Sequence, residues 1–157
     1  MTAPRIRALI VDDEPLARAR LRALLAKHAD MQLVGECAEG GEAIAAIGRT
    51  HPEVVFLDIQ MTETTGLDVA TSLAAEPRPA VVFVTAHERY ALEAFEVRAL
   101  DYLLKPFEES RFTATLDRVG LDRANGDRPS EIHPSSSLPT WSAVAAQVSE
   151  LYGRLAG

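Results

Sequence analysis

Asp12, Asp13, Asp58, Thr85 and Lys105 are the side chains of this sequence whose types could do chemistry together. Each stands at or just beyond the end of a short apolar run, the runs being Ile6–Val11, Val54–Leu57, Ala80–Val84 and Asp101–Leu104. Carboxylates gathered at one place repel when ionised, and their pKa values rise unless positive charge intervenes. Lys105 offers one such charge. A divalent cation with oxygen ligands and retained waters, as Mg2+ prefers, is the simplest source of the rest. A carboxylate is also a nucleophile that can form a covalent intermediate. Taken singly, each residue has an ordinary explanation. An Asp pair before a helix is common N-cap chemistry, a Thr at a strand end reflects β-propensity, and a Lys before Pro is a solvated turn. The weight lies in their joint occurrence.

The elements that would bring them together follow from the runs themselves. With Gln32–Cys37 there are five, short, rich in Val, Ile and Leu, and nearly continuous rather than alternating. Such runs read as strands buried on both faces, the habit of parallel sheets. Helical spacing fills the intervals. Pro15 suits a first helical turn, where its missing N–H costs nothing. Ala17, Leu21, Leu24 and Leu25 then share one face, with Arg18, Arg20 and Arg22 outside it. Helices are expected over Glu42–Ile47, Leu67–Ala75, Glu88–Val97 and Glu108–Leu121. Strand–helix alternation repeated five times predicts a (βα)5 open parallel sheet with helices on both faces. In such sheets ligands gather outside the carboxyl ends of the strands, where strand order reverses. The second run ends in Cys37-Ala38 and contributes nothing to that place, as expected of an edge strand.

Composition narrows the classes. The chain has 157 residues, 47% hydrophobic and 25% charged, enough for one domain with its own core. Its single Cys excludes an internal disulfide framework and a Cys-rich zinc or iron–sulfur site. Sixteen basic residues against 23 acidic ones give a net charge of −7, a poor basis for nonspecific nucleic-acid binding. The apolar run near the N-terminus is far shorter than the ~20 residues of a membrane span, and it does not read as a signal peptide. No membrane association and a cytoplasmic location are the expectation. Residues 1–121 are expected to be one domain. The Pro- and Ser-rich stretch 122–140 reads as linker. In 141–157, Trp141, Val144, Val148, Leu151 and Leu155 recur at helical spacing. That amphipathic helix could dock on its own domain or self-associate, and both readings stay open.

Four segments carry a resemblance. Ala8-Leu-Ile-Val-Asp-Asp-Glu-Pro-Leu-Ala-Arg18, Val55-Phe-Leu-Asp-Ile-Gln-Met61, Val82-Phe-Val-Thr-Ala-His87 and Ala99-Leu-Asp-Tyr-Leu-Leu-Lys-Pro-Phe107 resemble the receiver domain of bacterial two-component response regulators. Their wording is most similar to the branch that carries a LytTR-type DNA-binding domain. The resemblance covers about residues 5–121. It implies a flavodoxin-like, doubly wound sheet with strand order 2-1-3-4-5. It also implies a phosphoacceptor, Asp58, that takes a phosphoryl group from a sensor histidine kinase. Mg2+ (or Mn2+) would be held by Asp12, Asp13, Asp58 and the backbone carbonyl of Gln60. Lys105 and Thr85 would bind the phosphoryl oxygens, and Tyr102 would turn inward when Thr85 moves. The Lys105–Pro106 bond is cis in the family. Gln60 and His87 stand where the family tunes dephosphorylation, although for His87 an exposed helix-start role is an equal reading. The chain would be a signalling phosphoacceptor rather than an enzyme, assisting only its own phosphotransfer and dephosphorylation, and a homodimer on activation.

One departure stands out. After Asp58-Ile-Gln-Met the family usually has Pro, and this chain has Thr62. The loop carrying Asp58 and Gln60 is therefore expected to be looser, with weaker metal affinity and a shorter-lived phosphoryl group. Gly66 is retained, where a positive φ is expected. Among rivals, a Mg2+-dependent phosphohydrolase of the haloacid dehalogenase type would need a second Asp at position 60, where Gln60 stands. A nucleotide-binding domain would need a glycine-rich loop after the first strand. A stand-alone or phosphorylation-independent receiver acting as an interaction module is the remaining alternative, against which the retained Asp12, Asp13, Asp58, Thr85 and Lys105 argue. After Leu121, Arg123, Arg128 and Arg154 face Asp122, Asp127, Glu131 and Glu150, so that stretch makes no DNA-binding surface. A truncated form lacking the DNA-binding domain is the expectation.

Overall fold

Alternate residues along the central strands serve two different cores, which is why the apolar runs are continuous. In β1 (Ile6–Val11), Leu9 and Val11 belong to one buried cluster and Ile6, Ala8 and Ile10 to the other. β3 (Val54–Leu57) divides likewise, Val55 and Leu57 against Val54 and Phe56. So does β4 (Ala80–Thr85), with Val81 and Phe83 on one side and Val82 and Val84 on the other. Each Val, Leu or Ile so buried contributes about 1.5–3 kcal/mol relative to exposure. The computed structural model describes residues 4–73 and 78–124. Together with β2 (Met31–Cys37) and β5 (Asp101–Leu104), these strands form one parallel sheet in the order β2-β1-β3-β4-β5. This is the flavodoxin-like, doubly wound (βα)5 fold, with β2 at an edge as expected.

Helices cover both faces. α1 (Pro15–Ala26) and α5 (Glu109–Ala124) press Leu21, Leu24, Leu25, Phe112, Leu116 and Val119 onto one face. α2 (Gly40–Thr50), α3 (Gly66–Ser72) and α4 (Ala91–Glu96) bring Ala43, Ala46, Ile47, Val69, Ala70, Ala91 and Ala94 to the other. Pro15 opens α1, and Leu21, Leu24 and Leu25 form its buried stripe.

The helix expected over Glu88–Val97 is a 3-10 turn, Glu88–Tyr90, followed by the short α4. The chain leaves α4 through Arg98 at φ 62°, and Arg78 donates to the carbonyls of Val97 (2.9 Å) and Arg98 (3.2 Å). Those bonds occupy carbonyls that a helix end leaves unpaired. α5 continues to Ala124, past the expected end at Leu121. Residues 125–157, which hold nearly all of the expected linker and the whole C-terminal helix, lie outside the described residues, as do 74–77. No helix among the described residues is long and apolar enough to cross a membrane.

Candidate functional site

The backbone ladder runs past the ends of the strands and so sets where each polar residue begins. Asp12 N–H donates to the Cys37 carbonyl (3.0 Å), Asp58 N–H to the Val11 carbonyl (2.9 Å) and Lys105 N–H to the Thr85 carbonyl (2.8 Å). Asp12 and Asp58 therefore sit side by side at the β1/β3 step, where the strand order reverses. Carboxylate oxygens of Asp12, Asp13, Glu14 and Asp58 lie within 4.8 Å of one another. Asp12 and Asp58 are buried, Asp13 is half-buried and Glu14 is exposed.

Lys105 reaches into this cluster from the far side. Its Nζ donates to Asp12 Oδ2 at 2.8 Å and lies 3.6 Å from Glu14 Oε1 and 3.7 Å from Asp58 Oδ2. Burial works against the ammonium, but the Asp12 hydrogen bond and the Asp58 charge outweigh it and hold its pKa above the ordinary value. Asp58 fares differently. Burial pushes its pKa up to about 6, Lys105 opposes that, and Asp12 and Asp13 add to it. Asp12 is further engaged through its backbone, since Arg18 donates to the Asp12 carbonyl (2.6 Å), and Glu14 N–H donates to Asp12 Oδ1 (2.9 Å). The cluster is short of positive charge, and its donors are all hard oxygens. Such a set fits a divalent cation of the Mg2+ type.

Thr85, the last residue of β4, is fully buried, and its Oγ1 accepts from His87 N–H at 3.4 Å. Asp58, Gln60, Thr85, His87, Lys105 and Glu14 line a small polar cleft of ≈ 80 Å³. Tyr102 is already inward, 1% exposed, with its hydroxyl donating to the His87 carbonyl. Burial pushes that phenol up, which keeps it a neutral donor. The Lys105–Pro106 bond is cis.

Residues 8–117 match the response regulator receiver domain. The chain belongs to the receiver family. It is 52% identical over 122 residues to the transcriptional regulatory protein BtsR of Salmonella typhi, covering 78% of this chain and 51% of that one. To BtsR of Escherichia coli strain K12 it is 48% identical over the same length, again covering 78% and 51%. The chain thus spans about half the length of these relatives. Among solved structures, the response regulatory domain of protein mrkE from Klebsiella pneumoniae aligns with a TM-score of 0.73 at 32% identity, covering 76% of this chain and 99% of that one. The receiver domain of AraT from Geobacillus stearothermophilus aligns with a TM-score of 0.71 at 27% identity, covering 78% and 98%.

Two expectations about the receiver's β3–α3 loop need correcting or filling in. Gly66 does not adopt a positive φ. It opens α3 after the cap Thr65, whose Oγ1 accepts from Asp68 N–H, and Gly66 N–H donates to the Ile59 carbonyl at 2.8 Å. A Cβ on Gly66 would stand 2.2 Å from the Asp58 carbonyl oxygen. Glycine is needed there for close approach, not for a left-handed backbone. Thr62, in place of proline, turns its Oγ1 toward Asp13 Oδ2 at 3.5 Å, a long tie between this loop and the β1–α1 loop.

Three residues with notable surroundings are not singled out by the sequence reading. Glu14 joins the acidic cluster, and its signal was its place directly after Asp12-Asp13. Tyr90 meets Gln60 and carries no sequence signal for that contact. Asp101 stood inside an apolar run without an assigned partner. It is fully buried between Arg111, Thr115 and Arg118, which lie at i, i+4 and i+7 on α5, a polar stripe legible in retrospect.

Proposed function

We propose that this receiver accepts a phosphoryl group on Asp58 from a phosphohistidine of a sensor histidine kinase. The observation that carries the reading is Asp58 itself: a buried carboxylate at the strand-order reversal, crowded by Asp12 and Asp13 and opposed by Lys105 at 3.7 Å. Its oxygen attacks phosphorus, the P–N bond breaks with the electron pair going to the imidazole, and an acyl phosphate forms on Asp58. Asp12, Asp13, Asp58 and the Gln60 backbone carbonyl would hold Mg2+ (or Mn2+). When bound, that ion supplies positive charge opposite the phosphoryl oxygens. Lys105 supplies the protein's own cation to the same oxygens, and Thr85 Oγ1 leaves its contact with His87 N–H to donate to one of them.

The consequence is a change of the segment after β4. Thr85, His87 and Tyr102 are linked in series, Thr85 Oγ1 to His87 N–H and the His87 carbonyl to Tyr102 hydroxyl. Movement of Thr85 is therefore felt at Tyr102, a local charge event coupled to a packed element. The output we infer is transcriptional. The relatives are named transcriptional regulatory proteins, and the motif wording is of the LytTR type, so a DNA-binding portion would belong to the longer protein. Dimerisation through α4, β5 and α5 would transmit the state. The receiver is a phosphoacceptor, not an enzyme acting on a separate substrate.

Incubation with a small-molecule phosphodonor such as acetyl phosphate, with and without Mg2+, tests this. Intact and peptide mass spectrometry should find a Mg2+-dependent adduct at Asp58. No adduct, or one that survives in Asp58→Ala, overturns the assignment.

A further inference from the structure

Gln60, which lines the cleft, meets Tyr90 from the segment that follows β4. Gln60 follows Asp58 in the β3–α3 loop and lines the cleft beside Thr85, His87 and Lys105. Tyr90 ends the 3-10 turn that follows β4. Gln60 Nε2 donates to the Tyr90 hydroxyl oxygen at 3.1 Å. Arg89 donates to the same oxygen at 2.9 Å, and its guanidinium carbon lies 4.9 Å from the Tyr90 ring centroid. Both lone pairs of the phenol oxygen are thereby engaged. The Tyr90 ring leans on the edge of the core, and the His87 ring meets it edge-on at 6.1 Å. Packing of the ring and the Arg89 contact thus set where the hydroxyl oxygen is presented to Gln60.

That bond ties the loop of the acceptor Asp58 to the segment that moves with Thr85. A side-chain amide held at the cleft's rim restricts how water approaches Asp58. We propose that Tyr90 is a positioning residue: by fixing the Gln60 amide at the rim of the cleft, it slows hydrolysis of phosphorylated Asp58, an inference that rests on Asp58 being the phosphoacceptor. In that hydrolysis water attacks phosphorus and the bond from phosphorus to the Asp58 carboxyl oxygen breaks. Inorganic phosphate leaves, the carboxylate is restored, and the water's proton passes to solvent or phosphate. Released from Tyr90, the amide samples other rotamers and the rim opens.

The full chain is phosphorylated with acetyl phosphate and Mg2+, freed of donor, and followed by intact mass as the adduct decays. Tyr90→Phe keeps the ring and its packing, and an unchanged melting temperature verifies the fold. Its adduct should decay about fivefold faster, the population change typical of losing one side-chain hydrogen bond. Gln60→Ala should also alter the decay, and adding Tyr90→Phe to Gln60→Ala should change nothing more, since the residue acted upon is gone. An unchanged lifetime in Tyr90→Phe, or a Tyr90→Phe effect that persists in full on Gln60→Ala, overturns the inference while leaving the phosphoacceptor reading intact. Absence of any adduct on the wild-type chain is a different result, and it overturns both.

Discussion

Asp101 and Asp58 are both buried against this sheet, and their charges are met in opposite ways. Asp101, at the start of β5, is 0% exposed and meets a surplus of donors. Arg111 grips it with both terminal nitrogens, at 2.7 and 2.9 Å, Thr115 donates at 2.6 Å, and the Tyr102 N–H donates at 2.8 Å. Arg118 adds a second guanidinium at 3.4 Å. Burial alone would raise the Asp101 pKa, yet the Arg111 and Thr115 hydrogen bonds and the arginine charges win and hold it below the ordinary carboxylate value. Asp58, beyond the end of β3, is 6% exposed and has the reverse balance: other carboxylates around it and one ammonium at 3.7 Å. A buried charge that is fully satisfied anchors structure. One that is left short of counter-charge is poised to gain a ligand or a covalent group.

The contrast yields consequences that differ in size and sign. The largest is expected from Asp101→Ala, which strands Arg111 and the buried Arg118 without their acceptor. Urea denaturation should show a loss of about 3–5 kcal/mol, and a loss below about 1 kcal/mol would show that the cluster anchors nothing. Asp58→Asn should act the other way. The folded pKa of Asp58, about 6, lies above the unfolded value of 3.8, so the folded state binds more protons between those limits. Stability linked to Asp58 is therefore full below the unfolded pKa and lost as pH rises through the folded one. At pH 7.5 Asp58→Asn should be more stable than the wild type by about 1–3 kcal/mol, with the gain gone near pH 4. A gain that is independent of pH would refute the electrostatic cause. For Asp101 the sign reverses: its depressed folded pKa gives stability that is present above the unfolded pKa and lost as pH falls through the folded one.

Smaller effects sharpen the same comparison. Mg2+ at ten times its Kd should stabilise the chain by about 1.4 kcal/mol, because it binds the folded state. Thermal melts at matched ionic strength should show that shift in the wild type, most of it absent in Asp13→Asn. Stabilisation by NaCl alone to the same extent would point to screening rather than a site. The smallest effect is expected at Thr62. Its 3.5 Å contact with Asp13 is long for a hydrogen bond, so Thr62→Val should cost less than about 0.5 kcal/mol. Calorimetric titration with Mg2+ should then show only slightly weaker binding, and a large loss would make Thr62 a principal support of the metal site.

Much of this arrangement is legible in the amino-acid sequence. Apolar runs mark the five strands, continuous in β1, β3 and β4 because alternate residues there feed two cores, and Asp12, Asp13, Asp58, Thr85 and Lys105 are readable as strand-end residues. The helix over Glu88–Val97 was less readable. Its apolar spacing says which side faces the core, but not the 3-10 turn at Glu88–Tyr90 or the left-handed Arg98, whose carbonyl accepts from the remote Arg78. The need for glycine at position 66 is legible but its reason is not, because a glycine required by a neighbouring backbone looks the same in sequence as one required by its own φ.

By itself, then, the sequence determined the order of strands and helices, the two-faced burial of the sheet and the identity of the charged strand ends. Hydrophobic periodicity and residue type are local quantities, and a chain read one residue at a time displays them. Tertiary structure decided which charges are compensated. Asp58 and Asp101 are the same residue type in similar apolar surroundings. Only the fold brings Arg111 and Arg118 to one and leaves the other facing Asp12, Asp13 and Lys105. Electrostatic energy depends on distance and burial in three dimensions, and residues remote in sequence set both.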